Sequence, residues 1–592
     1  MITLVSSYIN YYKTPLERST HLLRLGRFLP VLQLKIPLVI FTTHDCVEAL
    51  HQYIQHHCPD FEAYIRLIVL KKSFFESSWI HLTASKVAPE HLPTHRFVPK
   101  DTFDFLCYSH TKIEFLRQST EINPFRTTHF AWVDCDIAQM FRHKNATSHF
   151  LKYVCSLSPQ NMCLPPTEHA AGKVLPLHNQ CYLPGCWDKN PSADFHQSIC
   201  WRFCGCFLLA HADAVTHLWS LYETHFESFL RTKRTMVWDV NFLAWLESHT
   251  DWHPVWFRAD HNDSIVMSLP PFAYTDDLVS VASDQLTYKY PDVEHFSPSS
   301  ASCVPFRKGE HTYYVMNTRY VNYTYLPSGH CDIHDPARNV YTRNICCFLD
   351  KDQHVRHSKG FHEIEEPETQ MGLAKVNDGQ MFHGVEDIRL YVYQDQVKFI
   401  ATTVNYSPSG KNTMMVGHYD MLEKTLRDCV LVEPPTVTPR EKNWIPLVVQ
   451  GRERFVYAWK PFQIGEVQDG RLRITQACHL YHGLFQHYDV RGSSNFVSTS
   501  MGLVGVVHFS VEGTLPKQYY HMLVLLDADS CEPKAHSRVF RFYDFGVEFC
   551  LCMDVRQEQY RFWISRQDRS PVCITVPMKA LDLAHSIETS PV

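Results

Sequence analysis

The chain has 592 residues, more than one hydrophobic core holds, because single domains stop growing near ~250–300 residues; two large domains are expected. Hydrophobic residues make up 45% and charged residues 20%, which excludes a disordered or collagen-like chain. Lys+Arg 56 against Asp+Glu 62 gives net charge -6, so no basic field marks nucleic acid as a partner. The 21 cysteines are scattered and do not form a small disulfide framework. The opening residues from Met1 to Tyr8 lack a basic stretch before an apolar one, so no secretory signal is expected. The apolar run 28–41 is broken by Lys35 and Pro37 and is too short for a transmembrane segment. A soluble protein of a reducing, cytoplasmic compartment with mostly free thiols is the expectation. The sequons at Asn145, Asn262, Asn322 and Asn405 are then chance matches.

In chain order, Ile2–Tyr8 is a β run and 16–29 has helical spacing. Residues 36–42 form a buried-strand run ending in Thr42, Thr43, His44 and Asp45. A helix over 47–56, a strand over 64–70, a helix over 103–119 and a strand at His129–Val133 follow. This rhythm predicts an α/β, Rossmann-like sheet with helices on both faces, whose ligands sit at the carboxyl ends of strands. After about Pro271 the pattern changes. Residues 273–305 are polar, with Asp, Ser and Pro clusters, and read as a linker between domains at 1–272 and 306–592. Beyond them, short alternating strands and polar turns recur from Tyr313, Gly384, Trp444, Gly502 and Phe542. The ~40–50-residue period is that of propeller blades and predicts an all-β five-bladed propeller, with a β-sandwich as the fallback.

The segment richest in chemistry runs from Asn123 to Ile137. The apolar strand Phe130-Ala-Trp-Val133 ends in Asp134-Cys135-Asp136. Two carboxylates one residue apart at a strand end suit one hard cation, Mn²⁺ or Mg²⁺, with positions left for diphosphate oxygens. An ordinary solvated turn is the alternative. Asn123-Pro-Phe-x-Thr-x-His-Phe-x-Trp-Val-Asp-Cys-Asp resembles the signature of the HtrL/YibB-like proteins. Arg18-Ser19-Thr20, the strand from Pro37 to Thr43 and Lys112 are also similar. The resemblance covers roughly residues 1–270 and implies a GT-A-type glycosyltransferase fold. Many members carry Asp-x-Gly where this chain has Asp136 as a second acid.

That resemblance implies a donor site of Thr42, Thr43, Asp45, Lys112, Asp134 and Asp136, a nucleotide-diphosphate sugar as donor and a glycan as acceptor. The stretch from Cys204 to His211 resembles the acceptor-side strand of such enzymes. Asp239, at the start of a helix, is a candidate general base, or else a first-turn acid favoured by the helix dipole. His261, after a late strand, is the candidate third metal ligand beside Asp134 and Asp136, with a packed or surface histidine as the alternative. Cys204 and Cys206 read as buried thiols. His330, Cys331, His334, Cys346 and Cys347 match no common zinc spacing.

In the second half, Gly384-Val-Glu386-Asp387-Ile-Arg389 opens a strand pair, Glu441-Lys442-Asn443-Trp444 opens the next, and Arg491-Gly492 precedes the strand reaching His508. Inner strand ends of a propeller converge on its axis, which would gather Glu386, Asp387, Arg389, Lys442, Arg491 and His508 around a sugar beside a phosphate. One acid there can protonate a glycosidic oxygen. A structural ion pair locking blades is the alternative. These motifs resemble the five-bladed propellers of the β-mannoside phosphorylases and related β-mannosyltransferases. The likeness implies Asp387 as proton donor and Arg389, Arg491 and His508 as sugar or phosphate contacts. Ile388 stands where that family usually has Pro. Trp444 and Trp459 are candidate stacking residues.

The combined expectation is a metal-assisted, nucleotide-sugar-dependent glycosyltransferase whose propeller is a second glycosyl-transfer or phosphorolysis site, or holds the acceptor. A β-mannoside phosphorylase or hydrolase carried by the propeller is the alternative, as is a non-catalytic glycan-binding protein.

Overall fold

The computed structural model describes all residues except 12–15, 88–90, 158–176, 191–192, 309–310, 327, 351–359, 367–380, 437, 439, 512–516 and 544–545. The chain divides into two compact units, with the change falling after Tyr274.

The first unit is built on one seven-stranded sheet. Its strands are β1 (Ile2–Tyr8), β2 (Leu38–Thr42), β3 (Ile65–Val69), β4 (His129–Val133), β5 (Cys181–Gly185), β6 (Phe207–His211) and β7 (Val255–Arg258). Their order is β3-β2-β1-β4-β6-β5-β7. β1 to β4 are mutually parallel and β6 runs antiparallel to β4 and β5. Strands β1, β2 and β4 are buried at every position, including Thr3, Ser6 and Ser7 of β1, as strands of a sheet covered on both faces are. The long helix Phe103–Ile122 starts at a Thr102 cap, whose side chain accepts from the Phe105 amide, and stops where Asn123 turns left-handed (φ 36°). Its buried face carries Leu106, Ile113, Phe115 and Leu116, and also Lys112. Among the described residues no helix is long and apolar enough to cross a membrane.

The second unit is almost wholly β, with a propeller-like arrangement of sheets. One sheet contains Ser297–Lys308, His311–Val321, Val340–Leu349 and Phe361–Glu363, with Phe382–His383 added alongside. The next contains Val385–Tyr393, Gln396–Thr403, Thr413–Asp420 and Thr425–Val432. Ile445–Val449 to Arg471–Tyr481 form a third, extended by the C-terminal Glu588–Pro591. An eight-stranded sheet is centred on Gly502–Val511 and Gln518–Leu526, and a four-stranded one holds Glu548–Arg556, Gln559–Arg566 and Arg569–Pro577.

Five equal blades are therefore not what the chain builds. Only the sheet from Val385–Tyr393 to Thr425–Val432 is four consecutive strands, and the others are completed or extended by strands from elsewhere in the chain. The stretch 273–305 is also more than a linker. Asp276–Asp277 pairs with Phe540–Arg541, and Asp284–Thr287 is the outer strand against Arg569–Pro577. Its polar composition follows from that edge position, where three of four side chains are exposed. Pairing the first strands of the unit with its last closes the arrangement and covers an edge.

With only 21 glycines, several hairpins turn on other residues. Gln394-Asp395, Gln557-Glu558 and Gln567-Asp568 all have positive φ at both positions, the signature of a two-residue turn that matches strand twist.

Candidate functional site

In the first unit, the ends of β1, β2 and β4 lie side by side. Thr42 Oγ1 donates to the Tyr8 carbonyl at 2.8 Å, and Asn10 Nδ2 donates to Asp45 Oδ2 at 3.0 Å. Thr43 stands before the helix His44–His57, its hydroxyl buried without a hydrogen-bond partner. Lys112 Nζ lies 2.6 Å from Asp239 Oδ2, both nearly buried, and also donates to the Gly205 carbonyl. A Cβ on Gly205 would meet Asp239 Oδ2 at 2.7 Å and Lys112 Nζ at 2.8 Å, so glycine is needed for this approach. Asp134 Oδ1 accepts from Trp132 Nε1 at 2.7 Å. Burial raises the Asp134 carboxyl, Asp136 and Asp239 push the same way, and Lys112 opposes them. Burial alone would lower the Lys112 ammonium, but Asp239 and Asp134 raise it. Asp134, Lys112 and Asp239 thus form one charge-coupled group, while Asp136 is exposed.

The expected metal set is not assembled. Among the described residues, the one group of His, Cys, Asp or Glu atoms close enough to share an ion is Cys186, Cys204 and His261. His261 therefore keeps company with sulfur. Asp239 is engaged by a lysine.

In the second unit, Glu386, Asp387 and Arg389 lie on the first strand of their sheet, at a bulge between Glu386 and Arg389. The bulge puts Asp387 at φ 54°, a strained conformation for a residue with a side chain. Arg319 Nη1 donates to Asp387 Oδ1 at 2.8 Å, and its Nη2 lies 3.6 Å from Glu386 Oε2. Lys442 Nζ donates to the same Glu386 oxygen at 3.0 Å. Burial alone would raise the Asp387 carboxyl, but Arg319, Lys442 and Arg389 hold it below the usual carboxylate range.

A third carboxyl belongs to this group. Asp568 sits in the Gln567-Asp568 turn and accepts from the Tyr323 hydroxyl at 3.0 Å. Burial raises it and Asp387 adds to the rise, against Arg319, the Tyr323 hydrogen bond and Lys442. Arg319 feels Asp387, Tyr323, Glu386 and Asp568 together, and they raise its guanidinium despite burial. Tyr519 is pushed up to about 12, by burial first and then by Asp568.

The other expected residues have different settings. Arg389 is 1% exposed and donates to the Ser493 carbonyl and to Asn443 Oδ1, both at 3.1 Å. Those bonds tie its strand to the loop before Ile445–Val449 and the loop after Arg491–Gly492, and burial lowers its guanidinium to about 10. Arg491 is half-exposed and held by Asp489. His508 is buried, stacks on Tyr519 with centroids 5.5 Å apart, and has no hydrogen-bond partner at Nδ1. Burial, then His521, Arg491, Arg389 and Lys517, keep it neutral. Trp444 and Trp459 are core residues at 1% and 4% exposure, not stacking platforms.

Arg319, Tyr323, Tyr519 and Asp568 escaped the sequence reading. Asn317-Thr318-Arg319 is a buried polar triplet between Tyr313–Met316 and Tyr320-Val321, a signal for Arg319. Asp568 reads as an ordinary turn acid and carries no such mark.

No protein-family model matches the chain, and no curated protein does. Solved structures that match include a beta-1,2-mannobiose phosphorylase from Listeria innocua in complex with beta-1,2-mannobiose. It is 11% identical, and the alignment covers 50% of this chain and 95% of that one at TM-score 0.32. A structure described under the GH130 family of mannoside phosphorylases, containing hydrolases that target beta-1,2 mannosidic linkages in Candida mannan, is 11% identical. Its alignment covers 49% and 86% at TM-score 0.31. Mouse xyloside xylosyltransferase 1, apo form, matches over 44% and 85%, at 11% identity and TM-score 0.24. The foremost of these are phosphorylases and glycosidases, and no family model supports the first unit as a transferase. The expectation of a nucleotide-sugar glycosyltransferase is corrected accordingly.

Proposed function

We propose that the second unit acts on a glycoside, as a hydrolase or a phosphorylase of β-mannosides, with Asp568 and Asp387 as its working acids. One observation carries this reading. Two carboxyls that share Arg319 are driven in opposite directions, Asp568 up and Asp387 down. Such splitting gives the raised carboxyl the acid role and the lowered one the base role. Asp568 is the group that delivers a proton to the departing glycosidic oxygen. Asp387, ionised, orients the attacking group or takes its proton. Its lowered pKa fits a base better than the proton donor expected from the family likeness. When water attacks, the glycosidic C–O bond breaks, a C–O bond to water forms, and the free sugar leaves. When inorganic phosphate attacks, a sugar phosphate forms instead. The exposed guanidinium of Arg491 and the neutral ring of His508 supply donors for that anion.

The test is turnover of β-linked mannobioses with and without inorganic phosphate, with mannose and mannose phosphate quantified. Asp568→Asn and Asp387→Asn each lower kcat/KM by about 10²–10⁴, the range for a positioned acid or base. Asp134→Asn, in the first unit, leaves it unchanged. Turnover retained in both second-unit variants refutes the assignment. Saturable binding of mannobiose without any product would make the unit a glycan-binding module instead.

A further inference from the structure

Three side chains of the first unit meet where no chemistry has yet been assigned. Cys186 follows the last residue of β5, Cys204 precedes β6, and His261 follows β7. Cys186 Sγ lies 3.6 Å from Cys204 Sγ and 3.7 Å from His261 Nδ1, and all three atoms lie within 4.8 Å of one another. A tetrahedral zinc ion, with Zn–S of about 2.3 Å and Zn–N of about 2.0–2.1 Å, sets S···S and S···N edges of roughly 3.8 and roughly 3.5 Å. The two separations from Cys186 match those edges. They are far from the ~2.05 Å of a disulfide.

The scaffold around the three atoms is tightly tied. The Cys186 amide donates to the Trp201 carbonyl at 3.0 Å, the Cys204 amide to Pro184 at 2.7 Å, and the Ala259 amide to Gly185 at 2.8 Å. A Cβ on Gly185 would lie 1.8 Å from the Arg202 carbonyl oxygen, so only glycine lets the Cys186 and Cys204 segments come this close. Trp201 meets the His261 ring edge-to-face at 4.4 Å and fixes its plane. Asp260 Oδ1 accepts from the His261 amide at 2.8 Å and lies 3.8 Å from His261 Nδ1, which ties the His261 segment in place.

We propose that Cys186, Cys204 and His261 form a soft-metal site for zinc, with its fourth position taken by water. Two thiolates and an imidazole select zinc over magnesium or manganese. The ion would pin the exits of β5, β6 and β7. It would also hold the segment whose next two carbonyls serve the charged group. Gly205 receives Lys112, and Cys206 receives the Asp134 amide at 3.1 Å.

The experiment is a Co²⁺ titration of the full chain, purified under reducing conditions, followed by absorption, with zinc content measured on the same preparation. A thiolate-to-cobalt charge-transfer band with tetrahedral ligand-field bands is expected, saturating at one equivalent and displaced by Zn²⁺. Cys186→Ser abolishes it. His261→Gln weakens affinity by more than about 10-fold, since even an outer-shell partner is worth about 10–100-fold. Both substitutions fall at partly or fully exposed positions, so the fold persists, and circular dichroism checks that. The chain carries 21 cysteines and 37 histidines, and the variants separate this site from the rest. Three results overturn the proposal: no thiolate band from the folded protein, a band unchanged in both variants, or a Cys186–Cys204 disulfide in the freshly reduced protein.

Discussion

Replacing Arg319 by Met tests whether the second unit holds its acids by charge. Arg319 and Asp387 side chains are 9% and 16% exposed and 2.8 Å apart, so salt screens them little. At an effective dielectric of about 20, charges at that distance attract by roughly 6 kcal/mol, of which desolvation cancels a part. Removing one partner of such a pair costs about 3–5 kcal/mol, because the other charge stays buried. The sign with pH follows from Asp387. In the native protein its carboxyl lies below the usual value, so its stabilisation is present above the unfolded value of about 3.9 and is lost as pH falls through the lower folded value. In Arg319→Met the chief lowering influence is gone and burial raises the carboxyl. The variant then loses stability as pH rises above about 4. The gap between native and variant proteins should therefore be about 3–5 kcal/mol at pH 7 and smaller at pH 4. Urea unfolding followed by intrinsic fluorescence at both pH values measures it, read on the transition that the substitution moves. A loss below about 1 kcal/mol, or one of equal size at both pH values, refutes the argument.

In the first unit, Lys112→Met should destabilise by about 3–5 kcal/mol by stranding Asp239. The double variant Lys112→Met with Asp239→Leu should recover most of that loss, which a double-mutant cycle in urea reports. Gly205→Ala should cost about 1–3 kcal/mol in the same assay, because its Cβ would press on both charged groups. Burial lowers His110 to about 4 and His521 to about 3. The folded protein refuses protons that the unfolded chain accepts below about 6.5, so melting temperature should fall as pH drops from about 6.5 toward about 4. His521→Phe should flatten that slope, and an unchanged slope would exclude His521 as a source.

The α/β half was legible because its strands are buried on both faces. Ile2–Tyr8 and His129–Val133 have the expected bounds, and the helix expected at 103–119 runs three residues further, to Ile122. A continuous apolar run needs no partner to be recognised. The sheets of the second unit were legible as strands but not as a count, because their completion depends on pairings such as Thr287 with Val572 that no local pattern encodes. The same distinction governs the sites. Glu386 and Asp387 announced themselves as adjacent acids opening a strand. The residues that set their charge come from elsewhere in the chain: Arg319 lies 68 positions before Asp387, and Tyr323 lies 245 before Asp568. Cys186 and His261 are 75 apart. Sequence shows which groups can carry charge or bind metal. Which of them meet is decided by strand ends converging in the fold, and in both units the informative residue stands beside a bulge, a turn or a glycine. Asp387 lies in a bulge at φ 54°, Asp568 in a left-handed turn at φ 53°, and Cys186 and Cys204 each adjoin a glycine that leaves room for a close neighbour, the Arg202 carbonyl at Gly185 and the Asp239 and Lys112 side chains at Gly205. The positive φ at Asp387 and Asp568 costs conformational energy, which is tolerated where the side chain must point into a shared space. Strained backbone marks the acid group of the second unit, and close approach over glycine marks the sulfur group of the first.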